Sequence, residues 1–200
     1  MEREGRSVAV VGAGIGGVAG ALALRSAGFA VRVYEREANP RELGFALLLA
    51  PNAMSALREL GLADAIVTAG AAARRGEIRR LDGKTLRRID STRVTERLGE
   101  PAIVALRPVL HGALLEAVGE EALVLGRRAT GCTASEAGAT VHFEGGEHVR
   151  ARIVVGADGV GSAIRKALHP TDTPPQPSGL FALRGVAHQQ QRPVEGVILE

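Results

Sequence analysis

A glycine-rich turn between two apolar segments constrains the fold of this chain more than any other part of its sequence. Residues 8–11 (VAVV) form a short continuous apolar run, which is typical of a parallel strand buried on both faces. The GxGxxG pattern of residues 12–17 (GAGIGG) follows at once, and residues 18–27 then predict a helix that ends at a glycine. A second, alternating strand is predicted over residues 30–35, and its last residue, Glu35, lies 18 residues after the last glycine of the pattern. Together these features predict a βαβ unit of about 30 residues.

Three glycines and one acid of this unit have a specific physical role. Gly12 permits a tight turn, Gly14 lets the backbone approach a pyrophosphate, and Gly17 lets the helix pack closely against the strand. The helix N-terminus presents free N–H groups and the positive end of its dipole to the phosphates. Glu35 is positioned to accept hydrogen bonds from an adenosine ribose. The unit predicts a dinucleotide site for either NAD or FAD, and the alternative is a glycine-rich turn in an ordinary α/β protein.

The nearly uncharged run from Ser7 to Leu24 superficially resembles a signal peptide or a membrane span. Its five glycines would make a poor hydrophobic helix, because each costs about 1 kcal/mol relative to alanine. The chain has a single cysteine, Cys132, which excludes an internal disulfide and fits a reducing compartment. We therefore expect a cytoplasmic protein without an integral membrane segment, in which Cys132 is a small buried residue of a strand.

Charge and composition limit the partners that the chain can have. The net charge of +3 is too small to indicate a polyanionic partner, although the isoelectric point is about 9.7. Aromatic residues make up only 2% of the chain, whereas proteins that bind single-stranded nucleic acids stack bases on aromatic side chains. The five histidines show no metal-ligand spacing. We therefore expect neither a nucleic-acid partner nor a metal ion.

The rest of the sequence alternates between short helices and short strands, which predicts an α/β fold. Further helices are predicted at 51–60, up to about 69, from Arg107 to about 118, and at 162–168. Further strands are predicted at 77–81 and 85–89, which the turn signal Asp82-Gly83 joins, and at 103–106, near 132, at 141–143, 152–155, 180–186 and 194–199.

Four segments, in this order, resemble the FAD-dependent monooxygenases of the para-hydroxybenzoate hydroxylase fold, particularly their salicylate hydroxylase-like branch. They are 11–17 with Glu35-Arg36, 44–53 with Leu57 and 60–62, 106–110 with Leu114-Leu115, and 155–165. The last segment, VGADGVGSAIR, is similar to the DG motif of that family and is the most diagnostic. The resemblance covers nearly the whole chain and implies a Rossmann-like FAD-binding domain with the start of a β-sheet substrate domain.

The resemblance implies which residues contact the ADP part of FAD. Glu35 would bind the ribose, Arg36 would lie beside the adenine ribose, and Ala129 would lie where the chain passes the adenine. The phosphate contacts would come from Gly12, Ala13, Gly14, Ile15 and Gly17.

The resemblance also implies contacts with the rest of the cofactor. The loop containing Gly44 and Leu48 would run along the flavin, and Arg107 would contact the flavin side. Asp158 would take part in binding both FAD and NAD(P)H. Two local alternatives stay open: Arg107 caps a surface helix, or Asp158 only caps the helix that follows it.

The sequence departs from the family in one respect. The family has a later GD motif that binds the flavin ribityl and pyrophosphate, and this chain has no such segment. The resemblance therefore implies an N-terminal portion, either a fragment or a natural short form. Its expected parts are a discontinuous FAD-binding domain over 1–73 and 101–172, and a partial substrate-binding β region over 74–100 and 173–200.

The function implied by the resemblance is that of an FAD-dependent monooxygenase. NADH or NADPH would be the co-substrate, and O2 would supply the oxygen atom for a small, often aromatic, substrate. The flavin supplies the redox chemistry, so no catalytic acid or base is assigned. The alternatives are a flavin-dependent reductase or dehydrogenase of the same fold, such as a geranylgeranyl reductase-like enzyme, and a truncated FAD-binding module without catalysis.

Overall fold

The computed structural model of the protein describes residues 6–40, 44–80, 82–181 and 197–199. Contacts between Cα atoms divide the chain into two compact units. One unit comprises Met1–Arg41 and Leu114–Phe181, and the other comprises Glu42–Ala113 and Ala182–Glu200. The division predicted from the sequence, with the first FAD-binding segment extending to 73, stays a prediction about the cofactor domain as a whole.

The first unit contains the predicted βαβ arrangement. Strands β1 (Ser7–Val11) and β2 (Ala30–Tyr34) pair in parallel, and helix α1 (Ile15–Ser26) connects them. Strands β8 (Leu123–Val124) and β12 (Ile153–Gly156) complete a parallel sheet in the order β12-β1-β2-β8. The βαβ prediction and the α/β fold class are therefore confirmed.

A second, antiparallel sheet of the first unit forms from three consecutive strands, β9 (Ala129–Ser135), β10 (Gly138–Phe143) and β11 (His148–Ala151). Its apolar side chains pack with those of the parallel sheet into one buried cluster. The rings of Tyr34 and Phe143 lie within it, with centroids 5.1 Å apart. The short helix α6 (Ala163–Leu168) follows β12.

The second unit contains two three-stranded sheets, β3-β7-β4 and β13-β5-β6. Their strands are β3 (Ala46–Leu49), β4 (Ala71–Ala72), β5 (Arg75–Arg79), β6 (Thr85–Asp90), β7 (Ile103–Leu106) and β13 (Val197–Leu199). The helices are α2 (Pro51–Glu59), α3 (Ala63–Ala69), α4 (Thr92–Leu98) and α5 (Arg107–Val118), the last of which crosses into the first unit.

Some of these helices and strands were predicted from the sequence, and others were not. The hairpin at Asp82-Gly83 and the helix that begins at Arg107 form as predicted, whereas α4 was not predicted. The segment expected to be a loop along the flavin is partly strand β3, because it pairs antiparallel with β7. Leu180 and Phe181 belong to no strand. The remainder of the strand predicted at 180–186 and residues 194–196 of the last one lie outside the described residues.

A buried acid is neutralised within the second unit. Only 6% of Glu100 is exposed, and its carboxylate accepts hydrogen bonds from Arg58, with 3.0 Å between Nη2 and Oε2. The same guanidinium donates to Asp64, whose side chain is 90% exposed, at 3.0 Å. The hydrogen bonds from Arg58 lower the pKa of Glu100. The pair joins the end of α2 to the segment before β7.

We predict that Arg58→Ala destabilises the protein, because it leaves a buried carboxylate without its partner. The melting temperature at pH 7 should fall by several degrees. A lowered pKa in the fold means that the pair stabilises above the ordinary glutamate pKa of about 4.3, and that this stabilisation is lost as the pH falls further. The difference between wild type and variant should therefore shrink below about pH 4. Asp64→Asn is the control and should have little effect, and equal effects of the two substitutions would contradict the role of Glu100.

Candidate functional site

The glycine turn after β1 is shaped by a close approach of backbones. Gly12 has a φ of +102°, and its N–H donates to the Tyr34 carbonyl at 2.8 Å. A Cβ built on Gly12 would come closer than 3.0 Å to the backbone of Ala157. The Ala157 N–H in turn donates to the Val11 carbonyl at 2.7 Å. The turn after β1 and the turn after β12 are therefore packed backbone to backbone, which only glycine at position 12 permits.

The N-terminus of α1 faces open space. Gly14 is the N-cap, with the extended backbone that any residue adopts, and no side chain of the described residues caps the helix there. Among those residues, nothing lies within 4 Å of a Cβ built on Gly14. A Cβ on Gly17, by contrast, would overlap the Gly12 carbonyl. The free N–H groups at the start of α1 therefore have space beside them for a ligand. Such an arrangement can bind a diphosphate.

Glu35 ties the end of β2 to the glycine turn. Its carboxylate accepts one hydrogen bond from the Ala13 N–H at 2.7 Å and another from the Glu37 N–H at 3.0 Å. Its carbonyl accepts from the Arg127 N–H at 2.7 Å. A carboxylate has about four acceptor sites, so further donors such as ribose hydroxyls can still bind.

Asp158 organises the turn after β12. One carboxylate oxygen accepts from the Ser162 hydroxyl at 2.5 Å, and the other accepts from the N–H groups of Ala163 at 2.7 Å and Ile164 at 3.2 Å. Asp158 therefore caps α6, as one of the two sequence interpretations held. Asp158 also lines the cavity described below. Its part in binding FAD and NAD(P)H stays a prediction. Arg165 donates to the Val160 carbonyl and pairs with Asp172.

These groups surround one cavity of about 270 Å³ at the carboxyl ends of β1 and β2. Ligands of open α/β sheets bind at this edge. Its lining contains six of the predicted residues: Gly12, Gly14, Glu35, Arg36, Ala129 and Asp158. Ala13, Ile15 and Gly17 belong to the same turn and helix start.

The lining also contains two arginines, Arg127 and Arg128, that the sequence reasoning did not single out. They stand directly before Ala129, the residue expected at the adenine, and this adjacency was the signal that could have identified them. Cys132 lies in a strand, β9, as expected, but it is only partly buried, and burial together with the charge of Asp158 raises the pKa of its thiol. The thiol is therefore not activated as a nucleophile.

The remaining predicted residues lie in the second unit. A Cβ built on Gly44 would lie 3.0 Å from both Cβ of Arg107 and Cδ of Pro108, and the Arg107 N–H donates to the Phe45 carbonyl at 3.1 Å. Gly44 and Arg107 are thus neighbours at the start of α5. Leu48 lies on β3 opposite Val104 and is 55% exposed. The structure therefore gathers the predicted residues into two groups, one in each unit.

The βαβ unit, the uncapped helix N-terminus and the acid at the end of β2 define a dinucleotide-binding α/β protein. The chain belongs to the FAD binding domain family, whose model matches residues 6–195.

Three similar proteins illustrate the relationship. Aurachin C monooxygenase/isomerase of Stigmatella aurantiaca is 33% identical over 184 residues, which are 92% of this chain and 48% of that protein. The 3-amino-4-hydroxybenzoate 2-monooxygenase PtnB3 of Streptomyces platensis is 36% identical over 191 residues, 93% of this chain and 47% of that protein. The crystal structure of Klebsiella pneumoniae HpxO with FAD and uric acid matches with a TM-score of 0.71 and 29% identity, covering 80% of this chain and 41% of HpxO. The chain spans about half the length of the curated relatives it matches.

Within 6–40, 44–80, 82–181 and 197–199, the structure contains no helix that is long and apolar enough to cross a membrane. The same part of the chain has no group of three or more histidine, cysteine or acidic residues that could hold a metal ion.

We predict that Gly17→Ala and Gly20→Ala have opposite effects, although both lie in α1. A Cβ at position 17 overlaps the Gly12 carbonyl, so the variant should lose roughly 1–3 kcal/mol of stability. Position 20 has no described atom within 4 Å of a built Cβ, so alanine there should stabilise the helix by up to about 1 kcal/mol. Urea unfolding of both variants measures this, and a Gly17→Ala protein as stable as wild type would show that α1 does not pack closely on the turn.

Proposed function

We propose that this chain is the FAD-binding part of an NAD(P)H-dependent monooxygenase that hydroxylates a small aromatic substrate. The observation that carries the proposal is the uncapped N-terminus of α1, with open room beside Gly14 and Glu35 at its rim. This arrangement fits the ADP half of the cofactor of the family to which the chain belongs.

In this proposal the first unit binds the ADP part of FAD. The turn and helix start hold the pyrophosphate through the residues Gly12, Ala13, Gly14, Ile15 and Gly17. The Glu35 carboxylate accepts from the ribose hydroxyls with the acceptor capacity that Ala13 and Glu37 leave. Arg36 lies beside that ribose, Ala129 lines the adenine, and Asp158 borders the pyrophosphate while capping α6.

The second unit contributes the contacts with the flavin half. Gly44 lets the loop before β3 lie against the start of α5, where a side chain would meet Arg107 and Pro108. Arg107 offers a planar guanidinium to the flavin side of the cofactor, and exposed Leu48 packs along it.

The proposed reaction consumes one O2 and one NAD(P)H for each substrate molecule. One oxygen atom enters the substrate as a hydroxyl group, the other leaves as water, and NAD(P)H is oxidised to NAD(P)+ with the uptake of one proton from solvent. The bound flavin supplies this redox chemistry, whereas the residues of this chain bind and orient the cofactor. The aromatic substrate class is supported by the relatives named as monooxygenases of 3-amino-4-hydroxybenzoate and by the uric acid bound to HpxO.

We predict that Gly14→Val abolishes most FAD binding and leaves folding intact. The extended backbone at position 14 suits valine, and no described atom lies within 4 Å of the added Cβ, so the fold tolerates it. The side chain would occupy the room that the pyrophosphate needs, and we expect FAD and ADP affinity to fall at least roughly tenfold. Titration calorimetry measures the affinity for FAD and ADP, and thermal unfolding measures the stability of the variant. Gly20→Ala is the control, and unchanged affinity in Gly14→Val would place the cofactor elsewhere.

A turnover experiment tests the reaction class. The natural gene product, supplied with FAD and either NADH or NADPH, should consume O2 and reduced nicotinamide in equal amounts when an aromatic substrate is present. One atom of 18O from labelled O2 should appear in the product. Oxidation of NAD(P)H that reduces an alkene and needs no O2 would instead identify the reductase of the same fold. FAD binding without either reaction would identify a binding module.

A further inference from the structure

Arg127 and Arg128 line the same cavity as Glu35. The Arg127 N–H donates to the Glu35 carbonyl at 2.7 Å, so the two residues are backbone neighbours. Arg127, Arg128 and Ala129 follow each other along the cavity wall. If Glu35 holds the ribose, as the proposed function states, the group attached to that ribose lies against these two arginines.

A β-bulge in β9 lies next to the residues Arg127, Arg128 and Ala129 that line the cavity. The register between β9 and β10 shifts by one residue, because His142 pairs with Gly131 while Phe143 pairs with Ala129. Thr130 is therefore an extra residue in β9. Such bulges bend a strand and redirect the side chains next to it, and they are frequent beside binding sites. The bulge at Thr130 immediately follows Arg128 and Ala129, which line the cavity.

Each arginine is oriented by an acid from the turn between β10 and β11. Arg127 pairs with Glu147, and Arg128 Nε lies 3.4 Å from Glu144 Oε1. The Glu144 N–H also donates to the Arg128 carbonyl at 3.0 Å. These side chains are between 42% and 65% exposed, so the pairs add little stability. Each pair favours the positions of its guanidinium group that lie close to its acid.

The cavity offers an adenine few aromatic partners. Tyr34 is the one aromatic residue in the described lining, and it is only 5% exposed, with its ring packed against Phe143. A flat base binds more tightly where another planar group lies against it. A guanidinium is planar and stacks on aromatic faces, which a lysine ammonium cannot do.

We propose that Arg127 and Arg128 are the adenine-binding residues of this site, with their guanidinium planes against the base. They take the place that an aromatic side chain takes in other nucleotide sites. This inference rests on the proposed function, because it requires that the adenosine half of the cofactor occupies the cavity beside Glu35. A rival role for the same residues is electrostatic, in which their positive charge neutralises the pyrophosphate.

Substitutions can distinguish the effect of the positive charge of each arginine from the effect of its planar guanidinium group. Each arginine is changed to lysine, which keeps the charge, and to glutamine, which removes it. The affinity of each variant for ADP and FAD is measured by calorimetry at two salt concentrations. Arg150, an exposed arginine of β11 in the same unit, is changed to lysine as the control. Thermal unfolding checks that all variants fold, which the exposure of these side chains favours.

We expect the lysine and glutamine variants to lose affinity equally, by roughly fivefold at each position and roughly 25-fold in the double variant. The salt dependence should stay close to that of wild type, and Arg150→Lys should bind normally. Recovery of affinity in the lysine variants, with a steeper salt dependence than in the glutamine variants, would overturn stacking in favour of charge. Variants that bind like wild type would refute the inference alone. A wild-type chain that binds neither ADP nor FAD would refute the proposed function along with it.

Discussion

The structure of the first unit depends on one steric constraint, the meeting of three backbone segments at Gly12. The carbonyl of Gly12 contacts α1 where Gly17 has no side chain, and its Cα faces the backbone of Ala157. The Ala157 N–H is bonded to Val11, so β12 cannot move away without losing a hydrogen bond. Strand β1, helix α1 and the turn after β12 are therefore fixed relative to one another at the point where the helix N–H groups emerge. A side chain at position 12 or 17 would separate them.

Two carboxylates lie beside a site for an anionic cofactor, and both accept hydrogen bonds from the protein itself. Asp158 uses both oxygens on the N-terminus of α6, and Glu35 uses both on N–H groups of Ala13 and Glu37. These are charge-assisted hydrogen bonds from backbone N–H groups and from the Ser162 hydroxyl, and they hold the two turns in shape. The hydrogen bonds partly offset the negative charges of the two carboxylates. The N–H groups at the start of α1 stay available for phosphates.

The parts of the fold that the sequence predicted are those encoded by adjacent residues. The turn at Gly12, the stop at Gly28, the hairpin at Asp82-Gly83 and the cap at Asp158 each have a local signal. Strand β3 lacked one, because it is a strand only through pairing with β7, some 55 residues later. The bulge in β9 also depends on its partner strand. The position of Arg127 and Arg128 beside the site could be predicted from their adjacency to Ala129, whereas their ion pairs with Glu147 and Glu144 depend on the turn after β10.

The composition of the chain now has a structural interpretation. Of its 25 basic residues only Lys84 and Lys166 are lysines, and aromatic residues make up 2%. Arginine forms directed, two-pronged contacts, as Arg58 does with Glu100, whereas lysine acts as a point charge. Guanidinium planes can lie against a flat base where aromatic rings are few, and the base binds more tightly when the orientation of those planes is favoured before the ligand arrives. The ion pairs of Arg127 with Glu147 and of Arg128 with Glu144 favour such an orientation, so these two acids contribute to the proposed adenine site although neither of them lines the cavity.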